Sequence, residues 1–220
     1  MQSLGHVLER FNRKERNLLI RDILGDADAN RLCLHESFRK RVADALGIAP
    51  IPANAWWGTD YHISWLAGAL SVFLKREPEI YCNKRHLEGS HGRQLVEGNQ
   101  EDVDLIIATD QHLILIEVKA YSGFTSKQFK SKVDRLNILY KYFETLSGVA
   151  DKSIRFHFLL MSPNEPKKLK APVPEWAPRL NWIKLALPQQ RAVLSVERCD
   201  KNGHTDKDGC HWQVVDLKGG

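Results

Sequence analysis

The sequence predicts a mixed α/β fold, and three observations carry that prediction. Residues 101–120, EDVDLIIATDQHLILIEVKA, place two apolar runs on either side of Asp110-Gln111, the pattern of two central strands covered on both faces. Ile63, Leu66, Leu70, Phe73 and Leu74 before them, and Phe129, Val133, Leu136, Tyr140 and Phe143 after them, recur at helical spacing. A further apolar run, RFHFLLM at Arg155–Met161, follows the second of these helices, so strands and helices alternate around a mixed sheet.

Taken in order, Val7 to Leu24 reads as an amphipathic helix closed by Gly25, and Glu36 to Leu46 as a second closed by Gly47. The proline-containing stretch IAPIPANAWWG leads to Thr59, an N-cap for a helix from Asp60 to Arg76. Lys75 and Arg76 suit the C-terminal dipole of that helix, and Pro78 stops it. His86 to Gly92 is glycine-rich and expected to be mobile. Gly98-Asn99 suits a hairpin turn that pairs a strand near Arg93–Glu97 with one starting at Gln100. That second strand runs to Ala108, turns at Asp110-Gln111 and returns as Leu113 to Ala120. Thr125-x-x-Gln128 is a capping box for a long helix ending near Leu146 and Gly148. Beyond the strand at Arg155–Met161, the proline-rich SPNEPKKLKAPVPEWAP is expected to be a surface loop or arm. NWIKLAL and AVLSVER read as strands, with WQVVDL paired to the latter. The segments are an N-terminal helical part (1–50), a core (51–162) and a C-terminal loop and β extension (163–220), gathered in one compact domain.

At 220 residues and 43% hydrophobic the chain can bury a substantial core. Its net charge of +5 and pI near 9.0 favour a polyanionic partner. The opening MQSLGHVLERFNRKERN has no apolar core of signal-peptide length, and the longest nearly apolar stretch, Leu66 to Leu74, is too short to cross a bilayer. The expectation is a cytoplasmic protein with no membrane partner. Cysteines at 33, 82, 199 and 210 form no Cys-x-x-Cys, so reduced, mostly buried thiols are expected. Cys199, His204, Cys210 and His211 match no usual zinc spacing.

The chemistry gathers in the hairpin. A turn on Asp110 and Gln111 puts Asp104 opposite Glu117, with Ile106 opposite Leu115 and Ile107 opposite Ile114. Directly opposed Cβ atoms lie about 4.5–5.5 Å apart, so both carboxylates can reach one cation. Lys119, two residues past Glu117, shares their face at roughly 6–7 Å along the strand. Opposed carboxylates repel and are expensive to desolvate unless a cation lies between them. Mg²⁺ suits the position: it is hard, takes oxygen ligands, and leaves places for water and phosphate. The lysine can orient or deprotonate an attacking water and offset charge on a phosphate.

Asp104, an interval of twelve residues and Glu117-Val118-Lys119 resemble the motif of the PD-(D/E)xK nuclease superfamily, and the order of predicted elements resembles its restriction-endonuclease-like αβββαβ core. The resemblance implies Mg²⁺ or Mn²⁺ held by Asp104, Glu117 and the Val118 carbonyl, Lys119 as the catalytic lysine, and DNA as substrate. Val103 stands where the motif's proline would be. Many members add an acid from the helix before the first strand; Asp60 and Glu36 are the candidates here, although Asp60 also suits a helix start. Gln128 occupies a place where members carry a polar residue near the site. Lys127 and Lys130, with Lys132, could meet DNA phosphates, and a homodimer would let two such sites cut both strands. The aromatic residues Trp56, Trp57, Tyr61, His62 and Trp65 fit core packing better than base stacking. Two alternatives stand beside the nuclease: a catalytically silent nuclease-fold protein that binds nucleic acid or a protein partner, and a small-molecule or sugar-phosphate metalloenzyme.

Overall fold

The computed structural model describes residues 3–25, 32–75, 83, 94–97, 101–121, 123–124, 127–148, 154–166, 173–177, 179–187 and 193–217. Three helices, α1 (Leu4–Phe11), α2 (Glu15–Ile23) and α3 (Glu36–Leu46), precede strand β1 (Trp56–His62) and helix α4 (Ile63–Lys75). The hairpin β2 (Asp102–Ala108) and β3 (His112–Val118), helix α5 (Lys127–Ser147) and strands β4 (Arg155–Ser162) and β5 (Asn181–Lys184) follow. The last elements are β6 (Val193–Cys199) and β7 (His211–Leu217). The chain forms two compact units, Met1–Lys119 with Gly123–Leu185, and Ala120–Ser122 with Ala186–Gly220.

The first unit is built on a five-stranded mixed sheet in the order β1-β2-β3-β4-β5. The β1/β2 and β2/β3 pairs are antiparallel, and the β3/β4 and β4/β5 pairs are parallel. The predicted hairpin register holds: Leu105 pairs with Ile116, Ile106 with Leu115 and Ile107 with Ile114. Strand alternation then sends Ile106, Ala108, Leu113 and Leu115 to a core shared with α1, α4 and α5. Ile107, Ile114, Ile116, Leu159 and Met161 face the other way, toward Val42 and Ala43 of α3. Both faces are covered, as the apolar runs require.

Four expectations need correction. The first strand of the sheet is not Arg93–Glu97. Gln94–Glu97 are not a strand, Gly98-Asn99 lies outside the described residues, and the antiparallel partner of β2 is WWGTDYH, read from sequence as connection and helix start. Its tryptophans, threonine and tyrosine are strand formers, and the chain passes from His62 straight into α4. The N-cap role expected of Thr59 falls to His62, whose Nδ1 accepts the Ser64 N–H at 3.2 Å.

Second, the helix expected over Val7–Leu24 is two helices broken at Asn12–Lys14, and α1 is capped by Ser3, whose Oγ accepts the His6 N–H. α2 buries Asn17 and Arg21 and exposes Leu18, Leu19 and Ile23, so its apolar residues do not mark its inner face. Third, the proline-rich tract is anchored where it is described: Trp176 stacks on Tyr140 at 5.3 Å and meets Phe156 edge-on at 5.7 Å. Fourth, of the described cysteines Cys199 is buried while Cys33 and Cys210 are exposed. The residues expected to be mobile, His86 to Gly92, and Thr125 of the capping box lie outside the described residues.

The remaining elements follow the sequence closely. α3 and α5 have their predicted spans to within a residue, and β4 covers RFHFLLM. Asn181–Lys184, from the predicted strand NWIKLAL, extend the sheet beside β4. In the second unit β6 and β7 form the expected antiparallel pair, with Val196 opposite Val214. No helix among the described residues is long and apolar enough to cross a membrane.

One packing detail sets a pH dependence. His112 Nδ1 and His157 Nε2 meet at 2.8 Å between β3 and β4. Burial lowers the affinity of both rings for a proton, and for His157 the neighbouring His112 and Arg155 lower it further, to about 4. The unfolded chain protonates near 6.5, so below that pH it binds protons that the folded pair refuses. Stability contributed by neutral His157 is therefore intact above pH 6.5 and is lost as pH falls toward 4, by about 1–2 kcal/mol once solvent screening of this part-exposed ring is allowed for. Denaturant unfolding at pH 7 and pH 4.5 should show this loss in the wild type and a flatter profile in His157→Gln; equal profiles would remove the pair as the cause.

Candidate active site

The hairpin register continues one step past Leu105 and Ile116 to bring Asp104 level with Glu117. On the other side of β2, the pairs Thr59–Leu105 and Tyr61–Val103 leave Asp60 facing Asp104. Three carboxylates therefore stand in a row across β1, β2 and β3. Asp104 and Glu117 extend the series Ala108–Ile106 and Leu113–Leu115, so their side chains point toward α5 rather than α3. Lys119 follows Glu117 on the same face, and its backbone N–H donates to the Met161 carbonyl, keeping the end of β3 tied to β4.

Asp60 holds its place in an unusual way. It has φ 50°, and among the described residues no other non-glycine residue has a positive φ. Aspartate tolerates that left-handed conformation better than most side chains, which interrupts the extended strand at the level of the row. Asp60 is thus on β1 rather than on a helix before the first strand. Glu36, the other candidate for that acid, is exposed in the first turn of α3 and does not line the site.

These groups share one cavity of about 200 Å³, lined by Asp60, Glu101, Asp102, Asp104, Glu117, Lys119, Gln128, Phe129 and Lys132. It gathers the predicted residues Asp60, Asp104, Glu117, Lys119 and Gln128. Lys127 and Lys130, on the first turn of α5, are exposed and do not line it. A larger cavity of about 640 Å³ lies at the opposite end of the hairpin, around His6, Glu9 and Gln111, and holds none of them.

Cations belonging to the chain itself balance the acids. Glu117 is wholly buried, and Lys132 from α5 donates to its Oε2 at 2.6 Å. The same ammonium is 3.9 Å from Asp104 Oδ1. Asp104 in turn accepts the Val118 N–H through Oδ2 at 2.7 Å, which fixes its carboxylate against β3. Arg16 lies 3.6 Å from Asp60, Lys14 binds Asp102, and Arg135 lies 3.5 Å from Glu101. Asp102 is thus held by a lysine from the segment between α1 and α2. The Lys119 ammonium has no hydrogen bond or ion pair among the described residues, and its charge still favours ionised Glu117.

Burial pushes the Glu117 carboxyl up to about 7; Lys132 opposes the rise and Asp104 adds to it. Its Oε1 is buried without a hydrogen-bond partner among the described residues. A buried carboxylate oxygen left unpaired is expensive, and such an atom is a place for a cation or a donor to bind. Among the described residues no three His, Cys, Asp or Glu side chains converge at metal-holding distance.

No protein-family model, curated protein or solved structure matches this chain.

Sequence reasoning grouped Lys132 with Lys127 and Lys130 as lysines that could meet DNA phosphates and so missed its place beside the carboxylates. The signal was present. Phe129, Lys132 and Leu136 are spaced three and four apart, so a lysine falls inside the buried stripe of α5. The aromatic residues behave as core: Tyr61 is buried and donates its hydroxyl to the Leu8 carbonyl, and the Trp56 indole donates to Glu9.

Proposed function

We propose that this chain is a divalent-metal-dependent nuclease of the PD-(D/E)xK type, with a restriction-endonuclease-like core, that hydrolyses phosphodiester bonds in DNA. The observation that carries the reading is the placement of Asp104, Glu117 and Lys119 on one strand face around one cavity, with Asp60 completing the row of acids. The donor set fits Mg²⁺ or Mn²⁺: two carboxylates, one with a buried oxygen that is unpartnered among the described residues, and the Val118 carbonyl beside them. When bound, such an ion supplies charge neutralisation at the phosphate and an acidified water.

The remaining work belongs to the chain. Asp104, oriented by the Val118 N–H, and Glu117, held from α5, set the position of the ion. Lys119, whose ammonium is unpaired among the described residues, orients the attacking water and offsets negative charge gathering on the phosphate. Gln128, in the first turn of α5, offers an amide to the same cavity, at a helix terminus whose dipole favours anions. Lys127 and Lys130 flank it, exposed, where a phosphate backbone can be met.

One observation favours a second reading. Lys132 already pairs with Glu117 and lies near Asp104, which offsets part of their repulsion without a metal, as in a silent nuclease-fold protein that binds nucleic acid or a partner. The two readings separate in one set of assays. The purified protein should nick or degrade single-stranded, double-stranded or branched DNA with Mg²⁺ or Mn²⁺, stop with EDTA, and bind DNA less tightly as salt rises. Salt-sensitive binding without cleavage in either metal would select the silent protein. Neither binding nor cleavage would leave the small-molecule enzyme or a silent protein that binds a protein partner.

A further inference from the structure

The nuclease reading leaves one group unused: a buried lysine placed where a metal would have to sit. Lys132 projects from the second turn of α5 with its side chain 9% exposed, and its ammonium lies between two carboxylates supplied by different strands. It bonds one oxygen of Glu117 at 2.6 Å and lies 3.9 Å from Asp104. An ion that touches both carboxylates needs the same space, and two cations within about 4 Å of each other repel.

We propose that Lys132 is an exchangeable resident cation, a positioning residue that holds Asp104 and Glu117 together in the metal-free protein and withdraws when a divalent ion enters. This rests on the metal-dependent reading above. Three features favour exchange over a fixed bridge. The ammonium bonds only Oε2 of Glu117, while Oε1 is buried with no hydrogen-bond partner among the described residues. The lysine stem is flexible and its head is a compact point charge with rotatable donors, so it can move without disturbing α5. A further carboxylate lines the same cavity: Asp102, whose Oδ2 binds Lys14 and whose Oδ1 is buried without a hydrogen-bond partner among the described residues.

Exchange makes an unusual prediction for Lys132→Met, which keeps the aliphatic length and removes the competitor. A lysine with only a structural role would, on removal, let the carboxylates separate and weaken metal binding. Removal of an exchanging cation should instead tighten Mn²⁺ about tenfold in a calorimetric titration, because the ion no longer displaces a positive charge. Lys132→Arg, which restores the charge, should return affinity toward wild type. A measurement on the unmodified protein covers the case in which Lys132→Met does not fold. Amine acylation followed by mass spectrometry should label Lys132 slowly in EDTA and severalfold faster with saturating Ca²⁺ or Mn²⁺. Unchanged or weaker Mn²⁺ affinity in a folded Lys132→Met, or labelling that ignores the metal, would overturn exchange while leaving metal binding and cleavage by the wild type intact. A wild type that binds neither ion would overturn both this inference and the reading beneath it.

Discussion

Asp104→Asn should abolish cleavage while leaving the fold in place. The carboxamide oxygen can still accept the Val118 N–H that orients the native side chain, so the β2–β3 seam keeps its bond. What is lost is one of the two anionic ligands of the proposed ion. Metal-borne charge stabilisation contributes several kcal/mol to such reactions, so the rate should fall on the order of a thousandfold. Mn²⁺ affinity should fall in parallel, and this joint loss marks a ligand rather than a general acid or base. Circular dichroism and a thermal melt in EDTA, compared with wild type, check that the folded state is retained. Cleavage at the normal rate by a variant that no longer binds Mn²⁺ would separate metal binding from activity and remove Asp104 from the reaction.

Lys119→Met should separate the two quantities that Asp104→Asn moves together. The side chain keeps its length, and the anchor of Lys119 in the sheet is its backbone N–H to Met161, which the substitution does not touch. Metal binding should persist or tighten, since a positive charge near Glu117 is removed. Cleavage at saturating metal should fall by about two orders of magnitude, the usual scale for one positioned proton-transfer or charge-stabilising group. Lys119→Arg should not restore it, because a planar guanidinium that stays protonated cannot replace a compact amine able to pass on a proton. Wild-type rates from Lys119→Met would transfer the lysine's role elsewhere in the cavity, and Lys132 would be the next residue to test.

The hairpin was legible because its information is local. Two apolar runs and a polar turn fix the register, and a slip of one residue would turn Asp104 and Glu117 to opposite faces. α3 and α5 were legible for the same reason, each having apolar periodicity with a cap or a stop. β1 was not. WWGTDYH carries a glycine and an aspartate, has no turn after it, and pairs with a strand some forty residues away, so only tertiary contact makes it a strand. Its loss also displaced Asp60 from strand to helix in the sequence reading, although the residue itself was the right one. Lys132 was hidden by chemistry rather than by distance. A lysine on a basic helix reads as solvated unless its place in the apolar stripe outweighs its charge, and here the buried Glu117 decides that.

The row of acids draws its spacing from the sheet. Neighbouring strands lie about 4.8 Å apart whatever the connections between them do. Asp60, Asp104 and Glu117 are therefore fixed relative to one another by backbone pairing, while the segments joining β1 to β2 and β4 to β5 can change in length without stretching that row. Under the proposed reading, the distance between the groups that would hold the ion is a property of strand pairing and not of the loops.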